Sequence, residues 1–520
     1  MARDILIGVD AGTSVMKAVA FSLEGEEIAV AARPNAYDSL GAGMVEQDME
    51  RTWRDCAATI AELAERIPDL RARVAAVAIT AQGDGCWLVD RDGAPVGGGL
   101  LWLDSRAAAI AAEHAKSAAY PRHYELTGSG VNACMASSQI AWMKRHQPER
   151  LAKAATCFHC KDWLFFRLTG ERAADPSEAV FTFGDFRTRA YDRTILEGMG
   201  IEDCERLLPP ILDGARESRP LSAPAAAATG LPEGVPVVLG YVDVACTALG
   251  GGLYERSGEV GFSVFGSTGM HMRFAPAAAD VRLNEARSGY TMCFPVENSC
   301  ASMQSNMAAT INIDWALDLV CEAARLAGAE TSRKALLSGL DAQILAAPPG
   351  QAIFHPYILE AGERGPFLDA NARAQFSGLS TRTSLAGLIR SIYEGLAFAA
   401  LDCYATEGAT PKEIRIGGGA ARSGALRVLV ASALGSPVRV LTREELGAAG
   451  AAMMAAACIG ACDSVAACAE RWVTPSLGPS TPPDPALAEA YARLFPIYRT
   501  IRTAMPPMWS ALANARREER

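Results

Sequence analysis

The chain has no excess of positive charge. Its 49 Lys and Arg stand against 59 Asp and Glu, a formal net charge of -10. Phosphate backbones demand a basic footprint, so nucleic acid is excluded as a partner. Also missing is any run of about twenty predominantly apolar residues, the length a bilayer requires. Three long stretches lack charge, but 126–143 is full of Ser, Asn and Gln, 342–359 is broken by Pro348-Pro349-Gly350, and 446–462 is mostly Ala and Gly. The last reads as a close-packed buried helix, and no membrane partner is expected. Metal-binding patterns are poor too. The 14 cysteines are scattered, which is not the dense framework of a small secreted protein. Cys157 and Cys160 have ligand spacing, but no second pair follows at a zinc-module distance, and the six histidines form no HxH or HExxH arrangement. Met1-Ala2-Arg3-Asp4 runs straight into an apolar strand with no leader pattern, so a cytoplasmic setting with reduced thiols is expected.

What is present is enough for two large cores: 520 residues, half of them hydrophobic and 21% charged. The most informative stretch is the first. Ile5–Val9 is an apolar strand that delivers Asp10 into the turn Ala11-Gly12-Thr13-Ser14, and the chain leaves through Lys17. Gly12 permits close backbone approach, and Thr13 and Ser14 can donate to phosphate oxygens. Asp10 repels phosphate, so its natural partner is a divalent cation carried in on a nucleotide. The same turn also reads as a plain hairpin with a solvated lysine. Strands at Lys17–Ser22 and Glu27–Ala32 would extend it into a meander, and Asp48 would cap a following helix.

Two more apolar strands end in polar residues. Val74–Thr80 runs into Ala81-Gln82-Gly83-Asp84-Gly85, and Leu100–Leu103 into Asp104-Ser105-Arg106. Ligands of α/β proteins sit at such strand ends. Gln82, Asp84, Trp102 and Asp104 suit a small polyhydroxy compound, with amide and carboxylates for hydroxyls and an aromatic face for C–H groups. Taken singly, each is equally a turn, cap or core residue. A helix from Phe158 closes at Leu168-Thr169-Gly170.

Farther on, Val235–Val242 ends at Asp243, a carboxylate placed to take a proton from an attacking hydroxyl or to cap a helix through Thr247. The glycine run 250–252 marks a candidate domain boundary. Glu259–Phe265 then enters Gly266-Ser267-Thr268-Gly269, a second phosphate-type turn. Two such turns, each after a strand and half a chain apart, predict an internally duplicated fold with phosphate between the halves. Gly362–Pro366 reads as a solvated charged loop, and Thr383 as the cap of a helix with apolar positions from Leu385 to Leu396. Ile414–Ile416 enters Gly417-Gly418-Gly419-Ala420, where glycines allow a flat ligand such as adenine to approach. From Thr474 the chain is proline-rich, with a terminal helix from Ala486.

With these stations placed, the chain resembles the FGGY family of carbohydrate kinases over nearly its full length. The pattern Asp-x-Gly-Thr-x-x-x-Lys fits Asp10, Gly12, Thr13 and Lys17, and Gly-x-x-Asp fits Gly240 to Asp243. The phosphate loop fits Gly266-Ser267-Thr268 and the adenosine loop Gly417 to Ser423. Leu168-Thr169-Gly170 with Asp175-Pro176-Ser177-Glu178-Ala179, and Gly362 to Pro366, fit two further patterns. Gln82–Gly85, His159–Leu164, Asp175–Ala179 and Gly240–Asp243 look like the branch that phosphorylates erythritol. Gly83-Asp84 stands where glycerol kinases show Arg-Glu and xylulokinases Met-His. Val244 replaces a Gln of glycerol kinases, and Leu426 and Val428 replace the family's usual Trp and Gln near adenine.

The resemblance implies an α/β protein of two actin-like (ribonuclease-H-like) domains with a deep interdomain cleft: a polyol-binding domain at 1–252, an ATP-binding domain at 253–473, and a terminal loop and helix at 474–520. It implies ATP and Mg²⁺, with Asp243 as base and Asp10 holding Mg²⁺ through water. Gly12, Thr13, Ser14, Lys17, Gly266, Ser267, Thr268, Gly418, Gly419 and Ala420 would hold phosphate and nucleotide. Gln82, Asp84, Trp102, Asp104 and Asp243 would hold the polyol, expected to be erythritol, with another polyol or a ketose such as L-xylulose as the alternative. An actin- or chaperone-like ATPase without a small substrate is the reading from another class. A reductase-activating ATPase would need interface cysteines that the Cys157/Cys160 pair does not supply. Homo-oligomerisation is left open.

Overall fold

The computed structural model describes residues 3–518; Met1 and Ala2, part of the opening expected to carry no leader, lie outside the described residues. The first half is built on a meander of β1 (Ile5–Ala11), β2 (Val15–Ser22) and β3 (Glu27–Pro34). Ala11 pairs with Met16, so residues 12–14 form the turn. β4 (Val74–Ala81) is buried at every residue and runs parallel to β1, as a strand covered on both faces must be apolar throughout. β5 (Arg219–Pro220) and β6 (Pro236–Leu239) complete a six-stranded sheet in the order β5-β6-β4-β1-β2-β3.

The second half repeats this sheet strand for strand. Its strands are β7 (Val260–Phe265), β8 (Gly269–Ala275), β9 (Tyr290–Cys293), β10 (Cys300–Asn306), β11 (Glu413–Gly417), β12 (Val438–Leu441) and β13 (Leu477–Thr481). Their order is β9-β10-β8-β7-β11-β12-β13. β7 is antiparallel to β8 and parallel to β11, just as β1 is antiparallel to β2 and parallel to β4. The internal duplication expected from the two turns is therefore present, with β9 added at one edge. Beyond Thr474, where only a loop and a helix were expected, the chain also supplies β13, the counterpart of β5.

Helices fill the faces. α1 (Met49–Arg66) starts at Asp48, whose carboxylate accepts the Arg51 N–H at 3.0 Å, a cap worth about 1 kcal/mol. α2 (Cys160–Thr169) packs on β4 and β6 of the first sheet, and α3 (Pro176–Phe183), capped by Asp175, packs on β9 of the second. α4 (Asp243–Gly250) follows β6, and α5 (Thr310–Leu326), α6 (Leu385–Thr406) and α7 (Gly424–Leu434) serve the second half. The uncharged stretch from Leu446 forms α8 (Leu446–Cys458), buried almost throughout, and α9 (Pro485–Ala504) packs on the outer side of α7. Among the described residues no helix is long and apolar enough to cross a membrane.

The small residues of α8 join the halves. A Cβ on Gly8 would collide with the Ala448 carbonyl, one on Gly450 with the Cys246 carbonyl, and one on Gly447 with the Asp10 carboxylate. Backbone thus meets backbone where α8 crosses β1 and α4, which sets the second half directly behind Asp10. The glycines 250–252 end α4 and are packed, Gly252 against Arg415 and Val473. Two local expectations need correction. Only Gly99–Leu100 of the segment before Asp104 is strand; Trp102 and Leu103 lie in a turn closed by the Asp104 N–H on the Leu101 carbonyl at 3.0 Å. The cap of α6 is Ser384, which accepts from Gly387 at 3.0 Å, while the Thr383 hydroxyl accepts from Ser380.

Candidate active site

The two turns open onto one cavity of about 240 Å³ between the halves. Thr13, Asp84, Trp102, Asp243 and Thr268 line it, together with Gly83, Phe181, Val242, Val244, Met270, Tyr290, Met292, Met303, Ser305 and Arg364. Five sequence-selected side chains, 255 residues apart at the extremes, are therefore brought together by the sheet ends.

The first turn is fixed by a ring of hydrogen bonds. Trp102 Nε1 donates to Thr13 Oγ1 at 2.8 Å, and Thr13 Oγ1 donates to Gln82 Oε1 at 2.8 Å. Gln82 Nε2 donates to Gln47 Oε1 and Gln47 Nε2 to Asn35 Oδ1, each at 2.7 Å. Asn35 Nδ2 returns to the Gly12 carbonyl at 2.8 Å. Gln82, expected on the polyol, is buried outside the cavity lining with its amide committed to this ring. The Thr13 hydroxyl is committed as well, and Trp102 offers the cavity its ring alone.

Two further side chains expected at the site are already held by other partners. Asp104 lies outside the lining; its carboxylate accepts Val45 N–H at 2.7 Å and pairs with Arg106 at 2.8 Å. The Lys17 ammonium, expected on phosphate, lies 2.8 Å from the Glu445 carboxylate, an ion pair between the halves. Ser14 and Ser267 are exposed at the tips of their turns beside Gly12 and Gly266. The carbonyls of Gly266 and Ser267 are turned back onto the start of α5, accepting from Thr310 and Ala309 at 2.9 and 2.8 Å. Gly418, with φ of 88°, rests against this turn: a Cβ there would stand 2.7 Å from the Phe265 carbonyl oxygen. Gly419 and Ala420 follow in a short 3-10 turn that leads to Ser423 and α7, so the glycine loop and the second phosphate turn abut.

The acids are the electrostatic feature of the site. Asp243 opens α4, and its Oδ1 accepts the Val244 N–H at 2.7 Å. Burial raises its pKa well above the carboxylate range, and the charges of Asp10, Glu178 and Asp84 push the same way. Asp10 at the end of β1 is raised to about 6, by burial first and by Glu445 after it, against the pull of Lys17. Asp84 has a left-handed backbone, φ 56°, unusual for a residue with a side chain. Its Oδ2 accepts from Tyr290 Oη at 3.1 Å and from Cys134 Sγ at 3.4 Å, whereas its Oδ1 is buried without a partner. One oxygen is clamped and one is free.

Arg364 and Tyr290 were not selected from sequence. Arg364 Nη2 donates to Ser305 Oγ at 3.0 Å, its Nε is buried without a partner, and its guanidinium carbon lies 5.9 Å from the Trp102 ring centroid. The Gly362–Pro366 pattern was a signal for Arg364, which reads as solvated only when the loop is viewed alone. Tyr290 carried no signal, since it sits in an ordinary strand.

The N-terminal domain model of the FGGY family of carbohydrate kinases matches residues 5–250, and the C-terminal domain model matches residues 261–459. An erythritol kinase of Brucella abortus (strain 2308) is 49% identical over 513 residues, covering 99% of this chain and 98% of that protein. An L-xylulose/3-keto-L-gulonate kinase of Escherichia coli (strain K12) is 25% identical, covering 86% of this chain and 87% of that protein. A solved xylulose kinase from Rhodospirillum rubrum superposes with a TM-score of 0.86 at 27% identity, over 97% of this chain and all of that one.

Proposed function

The chain belongs to the FGGY family of carbohydrate kinases, and on that premise we propose that it transfers the γ-phosphoryl group of ATP to a terminal hydroxyl of erythritol. The observation that carries the reading is the unpartnered Asp84 Oδ1, held in the same small cavity as Asp243 and Thr268. A buried acceptor with no donor fits a substrate hydroxyl, and the Trp102 ring covers C–H groups beside it. Met270, Met292 and Met303 close the cavity with apolar surface, which favours a short polyol over a longer sugar. The 49% identical erythritol kinase supports the same choice.

Phosphoryl transfer needs positioning and charge stabilisation more than covalent chemistry. Asp243 accepts the proton of the attacking hydroxyl, and its raised basicity suits that role. The turns at Gly12–Ser14 and Gly266–Thr268 hold phosphate from opposite halves, and Gly418, Gly419 and Ala420 accommodate the nucleoside. Asp10 fits a divalent cation: its carboxylate is raised by burial and destabilises the neighbouring Asp243 charge, while Lys17 is already bonded to Glu445. Mg²⁺ held there would neutralise phosphate charge.

The test is ADP release across a panel of tetritols, pentitols, glycerol and ketopentoses. Erythritol is expected to give the highest kcat/KM, and Asp243→Asn to lower kcat about 10²–10⁴-fold. Turnover that is independent of any acceptor and survives the substitution overturns the reading; a ketose in first place redirects it to the alternative acceptor.

A further inference from the structure

Behind the cavity lies a cluster of charged side chains that the transfer itself does not use. Lys161, on α2, is fully buried, and its ammonium meets three carboxylates: Glu178 at 2.5 Å, Asp175 at 2.6 Å and Asp162 at 3.0 Å. Two of these lead directly to the site. Glu178 Oε1 accepts the Asp84 N–H at 2.7 Å, holding the residue whose backbone is left-handed. Asp175 receives the Ser177 hydroxyl and, at 2.7 Å, the Ser177 N–H, and Ser177 Oγ in turn accepts the Val242 N–H at 3.0 Å. Val242 immediately precedes Asp243. The loops of Asp84 and Asp243 also touch each other: a Cβ on Gly83 would stand 2.5 Å from Val242 Cγ2 and 3.3 Å from Glu178 Oε1.

We propose that Ser177 and Glu178, consecutive residues on the first turn of α3, are positioning residues that register the two working carboxylates separately, Glu178 fixing Asp84 and Ser177 fixing Asp243, with Lys161 as their common anchor. The inference rests on the assignment of Asp84 to the polyol and Asp243 to the proton. Left-handed backbone at a residue with a Cβ persists only where its surroundings hold it, and the Glu178 oxygen supplies that hold. Because the two supports leave the cluster by different atoms, their loss separates binding from chemistry.

Steady-state kinetics with erythritol and ATP test this. Glu178→Asp keeps the charge beside Lys161 but withdraws the oxygen from the Asp84 N–H. It is expected to raise the erythritol KM about tenfold, the effect of one lost hydrogen bond to a charged group, with kcat and the ATP KM within about twofold. Ser177→Ala is expected to lower kcat by about tenfold with the erythritol KM nearly unchanged. In an Asp84→Gly background, which has no side chain to present, Glu178→Asp adds nothing to KM. A KM rise of the same size in that background reduces Glu178 to a structural part and overturns the proposal, as does movement of KM and kcat together in both variants. If Glu178→Asp does not fold, Ser177→Ala decides: loss confined to kcat upholds the proposal, and a raised KM overturns it. Failure of the underlying assignment looks different, because Asp84→Gly alone would then leave the erythritol KM unchanged.

Discussion

Each wall of the cavity is supported by a buried glutamate, and the two are held in opposite ways. On the first-half wall, Glu178 accepts the N–H of Asp84 and is paired with Lys161. On the second-half wall, Glu363 Oε1 accepts the N–H groups of Met307 at 2.8 Å, Arg364 at 2.9 Å and Gly365 at 3.4 Å, and its Oε2 is buried without a partner. Both glutamates hold the backbone of the residue that faces the cavity, one an acid and one a base. Glu178 shares one ammonium with two other carboxylates and is raised to about 7, because burial and the charges of Asp175 and Asp162 outweigh the pull of His159 and Lys161. Glu363 is an isolated carboxyl among main-chain donors, raised to about 7 because burial outweighs the N–H groups and Arg364 that favour its ionised form. Both carboxyls are thus raised to about 7, and what differs is the partner: a buried ammonium on the wall that presents Asp84, main-chain donors on the wall that presents Arg364.

The largest break of this contrast is Lys161→Met. It leaves Asp162, Asp175 and Glu178 facing one another without the ammonium, and removal of one member of a buried pair costs about 3–5 kcal/mol. Chemical denaturation should show a loss of that size; less than about 1 kcal/mol would mean that the cluster is not held by charge.

Glu363→Gln is expected to do much less, and its sign depends on pH. The folded carboxyl sits near 7 against an ordinary value of 4.5, so its contribution to stability is full below pH 4.5 and is lost as pH rises through 7. The loss amounts to about 3 kcal/mol at most, from 1.36 kcal/mol per pH unit. Glutamine keeps an acceptor oxygen for the three N–H groups and carries no charge. The melting temperature of the variant relative to the parent should accordingly rise between pH 4.5 and pH 8. A flat difference would show that Glu363 ionises freely and that burial does not govern this wall.

What was legible in the sequence follows the same division. Asp10, Gly12, Asp84, Asp243 and the turn at Gly266 could be found because each stands at the end of an apolar strand, and strand ends are local patterns. The duplicated sheet was legible for that reason too. The supports were not. The Tyr290 hydroxyl reaches an aspartate 206 positions away, and Lys17 pairs with a glutamate 428 positions away. No periodicity marks such partners. Gln82 and Trp102 show a subtler limit: both were expected on the polyol, but the polar atoms of Trp102 and Gln82 are spent on Thr13 and Gln47, which only the closed ring of bonds reveals.

Asp84 and Asp104 make the finest test, since both follow apolar segments and both looked fit for a hydroxyl. Asp84 keeps one oxygen unpartnered at the cavity, whereas both oxygens of Asp104 are taken, by Val45 and by the main chain and guanidinium of Arg106. Asp104→Asn retains acceptor capacity for Val45, and Arg106 keeps a second carboxylate in Glu46 at 3.0 Å. The expected cost is therefore about 1 kcal/mol of stability, with the erythritol KM unchanged. A clear rise in KM would place Asp104 at the substrate after all, through movement of the 101–106 turn.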